Sequence, residues 1–80
     1  MADVNETLAQ RGARYGAFAN HAAISQDIKE VMQRDHQKWA SMTPSMREAL
    51  EMVAHKIARI LNGSPTYGDS WHDIAGYASL

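Results

Sequence analysis

The sequence predicts an all-α fold. Apolar residues recur at steps of three and four in three separate stretches. Capping and turn residues stand at the boundaries between those stretches. No stretch reads convincingly as a strand, whose half-buried form alternates apolar and polar residues. Eighty residues make a single domain, 1–80, with room for only a limited core. Association with a second copy is a common supplement at this size.

Taken in order, Asp3-Val-Asn-Glu6 reads as a capping box. With Val4 and Leu8 it predicts a short leading helix that ends at Gly12. "RGARYGAF" is a turn into the next element. From about Ala17 to about Arg34, the spacing of Phe18, His21, Ile24, Ile28 and Val31 predicts an amphipathic helix. His21 lies on its apolar stripe and reads as a core residue. "RDHQKWASM" is polar and predicts a loop, with Trp39 packed on the body. The next helix is the clearest. Thr43 caps it, Pro44 takes the first turn and Gly63 ends it. Leu50, Val53, Ala54, Ile57, Ile60 and Leu61 form its apolar stripe. Arg47, Glu48, Glu51, His55, Arg59 and Asn62 stand on the opposite side. "GSPTYG" is a turn. A last helix begins near Asp69 or Ser70, with Trp71, Ile74, Ala75 and Ala78 on one face. The expected architecture is a small bundle of three main helices plus a short N-terminal one, completed by dimerisation.

Composition narrows function. The net charge of −1 offers no global field for nucleic acid or an anionic membrane. "SMREALEMVAHKIARIL", Ser45–Leu61, could be read as a DNA-recognition helix, but its apolar stripe and two glutamates argue against that. There is no cysteine, which removes disulfides and thiolate chemistry. No apolar run approaches the roughly 20 residues of a membrane span, and no signal-peptide core opens the chain, so a cytoplasmic location is expected. His21, His36, His55 and His72 do not make a zinc pattern, and no P-loop, dinucleotide or nucleophile-elbow motif occurs.

Two sets of residues carry candidate chemistry. Glu48-Ala-Leu-Glu51 puts two carboxylates one turn apart, and Asp69 and Asp73 repeat the arrangement on the last helix. Four carboxylates on neighbouring helices suit magnesium, which takes hard oxygen ligands and can polarise a phosphoryl group. The same residues also serve local needs. Asp69 can cap, Asp73 suits the helix dipole, and Glu51 can pair with His55. Both acidic faces point away from the apolar stripes, so a shared metal needs a second protomer or the N-terminal segment to cover them. Among the cations, Lys56, Arg59 and Arg14 suit phosphate, and Tyr15 suits a base or a phosphate. The alternatives there are a solvated charged face and a packed ring.

"RGARYGAF", then "EALEMVAHKIARILNG", then "DSWHDIAGYASL" resembles a family of short phage and prophage proteins of unassigned function. The likeness runs from about Glu6 to Leu80. More distantly, the pattern is similar to the MazG-like all-α nucleotide pyrophosphohydrolases. Members of that group bind magnesium through E-x-x-E on one helix and E-x-x-D on a later one, and assemble as dimers or tetramers. By position, Glu48 and Glu51 match the first pair and Asp73 matches the aspartate of the second. Ser70 stands where the second glutamate should be, with Asp69 one position further back. The resemblance implies magnesium as cofactor, a nucleotide ligand and a homodimer; Arg14, Tyr15, Lys56 and Arg59 are the residues whose chemistry suits such a nucleotide. It extends to pyrophosphohydrolysis of nucleoside triphosphates. The other reading is a non-catalytic interaction protein that binds a host or phage protein.

Overall fold

The computed structural model describes residues 16–80. Four helices follow one another: α1 Phe18–Met32, α2 His36–Ser41, α3 Pro44–Asn62 and α4 Gly68–Ala78. Among the described residues there is no strand, and the fold is all-α. The leading helix expected near Asp3–Gly12 lies outside the described residues.

The entry to α1 is set by Gly16, whose φ of 78° is left-handed backbone that favours glycine. A Cβ there would also collide with the Asn62 carbonyl oxygen and come within 2.6 Å of its Nδ2. The Asn62 Nδ2 donates to the Ala17 carbonyl at 2.9 Å, which binds the start of α1 to the end of α3. The loop expected over residues 34–42 is instead mostly helix. The Asp35 carboxylate accepts from the Lys38 amide at 3.0 Å and caps α2.

Thr43 caps α3 as expected, accepting from the Met46 amide at 3.1 Å, with Pro44 in the first turn. Gly63 ends the helix at φ −127°, so the stop does not use a left-handed residue. The last helix begins one to two residues earlier than expected, with Tyr67 at the cap position and Asp69 inside the first turn. The Trp71 indole N–H donates to the Pro65 carbonyl at 2.8 Å and ties α4 to the turn before it.

α3 is the centre of the packing, with α1 and α4 each laid against it. Ala54, Ala58 and Asn62 fall at four-residue steps along one edge, where small side chains permit close approach. Lys56 and Ile60 form a second edge towards α4. Ala54, Ala58 and Ile60 are the buried apolar residues among those described, and none of those described with a large side chain is fully buried.

This core departs from the expected stripe. Ala54 and Ile60 are buried and Val53 and Ile57 half-buried, but Leu50 is 42% exposed and Leu61 66%. On α4 the packed face is shifted from the expected one: Ser70 is buried and Asp73, Ile74 and Tyr77 half-buried, while Trp71, Ala75 and Ala78 are exposed. The physical reason is polar pairing. His55, Glu51 and Asn62 turn in to meet α1, and Asp73 turns in to meet Lys56. No helix among the described residues is long and apolar enough to cross a membrane.

Candidate functional site

The charged seam between α3 and α4 is built around Lys56. Its position on α3 directs the side chain at the inner face of α4, where it is 11% exposed. Its Nζ meets the Asp73 Oδ2 at 2.8 Å, while the Asp73 side chain remains 40% exposed. The hydrogen bond from Lys56 holds the Asp73 carboxyl below its usual range, aided by the positive fields of Lys56, His72 and Arg59 and opposed by partial burial. Asp73 is therefore a firmly ionised carboxylate with one side open.

Arg59 lies one turn further along α3, half-buried. Its field reaches Asp73, His55 and His21. Lys56, Arg59 and Asp73 thus occupy one region. Arg14 and Tyr15 lie outside the described residues.

The remaining carboxylates stand outside this ion pair, Asp69 one turn before Asp73 on α4 and Glu48 and Glu51 on α3. Asp69 is exposed and accepts from the Tyr67 hydroxyl at 3.1 Å. Glu48 is exposed, and Glu51 accepts from the Gln33 amide at 3.5 Å, a long contact. Both glutamates line a shallow surface cleft with Trp39, Pro44 and Arg47. Among the described residues, no three histidine, aspartate or glutamate side chains come together to hold a metal.

Between α1 and α3 lies a feature the sequence reading missed. The His21 Nε2 is 3.3 Å from the His55 Nδ1, with the rings edge-on at 4.6 Å and 83°. So His55 meets His21, and Glu51 meets Gln33, in place of the expected Glu51–His55 pair. A signal was present. Glu51, His55, Ala58 and Asn62 fall at steps of four, three and four, a second helical stripe that is mostly polar.

These features define a small all-α protein with a charged seam on one flank of its central helix, a histidine contact on the other, and an uncovered apolar row between them. A family profile described as a domain of unknown function (DUF6378) matches residues 1–80, and the chain belongs to that family. No curated protein and no solved structure matches it.

Proposed function

We propose that the protein is an interaction module that works through association of the outer face of α3, with a second copy as its first partner. One observation carries this reading. Met46, Leu50 and Leu61 are exposed and Val53 and Ile57 half-exposed, all between the two buried edges of α3. A contiguous apolar row of this kind marks an interaction surface. Its spacing suits a two-fold pair. Reversed about the Val53–Ala54 peptide, Met46 falls opposite Leu61 and Leu50 opposite Ile57, as a self-complementary interface requires. Trp71 adds exposed apolar surface on α4. Sedimentation should find a dimer at tens of micromolar, and Leu50→Glu with Leu61→Glu should return a helical monomer. A wild-type monomer at that concentration overturns the second copy as partner.

A second reading rests on the Lys56–Asp73 seam: magnesium-dependent binding of a nucleotide, in a phage or prophage protein working in the host cytoplasm. The MazG-like resemblance and the ionised, part-open Asp73 support it. A phosphate would take Lys56 and Arg59, with Arg14 and Tyr15 completing the contact. A magnesium ion would take Asp73 and Asp69. Glu48 and Glu51 would have to join from a second protomer or through the bound nucleotide. Pyrophosphate release is the furthest extension of this reading. Calorimetry with magnesium and nucleoside triphosphates on wild type and Asp73→Asn tests it. No heat, no melting shift and no pyrophosphate from wild type removes it.

A further inference from the structure

We propose that His21 and His55 form a proton-sensitive latch between α1 and α3, closed while the rings are neutral and opened by acid. His21 is 5% exposed and sits where α1 crosses α3. A hydrogen bond between two imidazoles needs an N–H on one and a bare lone pair on the other. Two imidazolium rings have donors only, so full protonation breaks the contact. The His21 Nδ1 is buried without a partner. That favours the tautomer in which His21 Nε2–H donates to His55 Nδ1, since the reverse would strand a buried N–H at Nδ1. A proton added at Nδ1 would then be a buried charge with no acceptor.

The surrounding charges point the same way. Lys29 reaches both rings from α1, Arg59 reaches both from α3, and Lys56 reaches His55 from α3. All three are cations. Among the described residues, no charge of α4 bears on either ring, and Asp73 is engaged by Lys56. Burial first, then Arg59, pushes His55 down to about 4 and lowers His21. Among the described residues, two further fastenings on this face are the Asn62–Ala17 hydrogen bond, which does not titrate, and the Gln33–Glu51 contact, which is long. The α3–α4 side is held by the Lys56–Asp73 ion pair, whose carboxyl stays ionised to lower pH. Acid should therefore release α1 before it disturbs α4.

Hydrogen exchange on the full chain tests this, with rates corrected for the intrinsic effect of pH. Between about pH 7 and about pH 5, protection of wild-type α1 amides should fall about twentyfold, the change expected over that range when an imidazole of ordinary pKa about 6.5 is held near about 4 in the closed latch. Amides of α3 and α4 should keep theirs. His55→Gln, which can hydrogen-bond but does not titrate, should lose the larger part of the pH dependence in α1, leaving the share of His21. His21→Gln is a second variant at the buried ring. Unchanged α1 protection in wild type, the same fall in His55→Gln, or equal loss in all helices would each overturn the latch. Imidazole proton resonances titrating near 6.5 for both rings would do so as well.

Discussion

At the residue scale, Lys56 and Asp73 are unequal partners. The lysine is nearly covered and the aspartate partly open. Removing the carboxylate strands a buried ammonium, whereas removing the ammonium leaves a carboxylate that water can reach. Asp73→Asn should therefore lower the melting temperature more than Lys56→Met, in thermal melts without metal. In a crowded cluster of the four carboxylates, Asp73→Asn would stabilise by relieving like-charge repulsion. Pairing with Lys56 reverses that sign. Gly16→Ala should cost at least about 1 kcal/mol in chemical denaturation, because φ is left-handed and Asn62 occupies the space. Protons add a further dependence. His21 and His55 bind a proton less readily folded than unfolded, so stability should fall as pH drops from about 6.5 towards about 4. Asp73 contributes above the ordinary carboxyl pKa of about 4, and that contribution is lost below it. Urea titrations from pH 7 to pH 3 on wild type, His55→Gln and Asp73→Asn would separate the two windows.

At the element scale, local signals carried the helix boundaries that depend on local chemistry. Thr43, Pro44 and Gly63 mark α3 because a cap, a restricted φ and a helix stop act within a few residues. Thr43→Ala should cost roughly 1 kcal/mol, read as a shifted denaturation midpoint. α2 was not legible as a helix because six residues with one large apolar side chain, Trp39, are too few to show a helical period, and only Asp35 three residues before Lys38 hinted at a cap. The buried faces were legible only in part. α3 carries two helical stripes, one apolar through Leu50, Ile57 and Leu61, one mostly polar through Glu51, His55 and Asn62. Periodicity identifies both but does not say which one the chain itself covers. That is decided by partners 18 to 45 residues away, namely Gln33, His21 and Ala17, which no local pattern reveals. The candidate site divides in the same way. Lys56 and Asp73 were each identifiable by residue type, but their pairing depends on how α4 folds back on α3.

At the scale of the whole molecule, these facts converge on an unusual distribution of polarity. Among the described residues, one histidine, one lysine and two serines are buried, namely His21, Lys56, Ser25 and Ser70, while Met46, Leu50, Leu61 and Trp71 are exposed. A domain of this size gains little from burying Ala54, Ala58 and Ile60, since each buried CH₂ contributes only about 0.8 kcal/mol. Pairing two copies along α3 would add apolar burial at the interface. Stability would then depend on concentration, because folding and association become one equilibrium. The wild-type melting temperature should rise steadily as protein is raised from about one to about one hundred micromolar. A hundredfold change in concentration corresponds to about 2.7 kcal/mol of linkage for a tight complex. Leu50→Glu should abolish that dependence while keeping the helical signal at high protein concentration. If wild type melts at one temperature across the range, the exposed row is not a self-association surface, and its occupant must be a different protein.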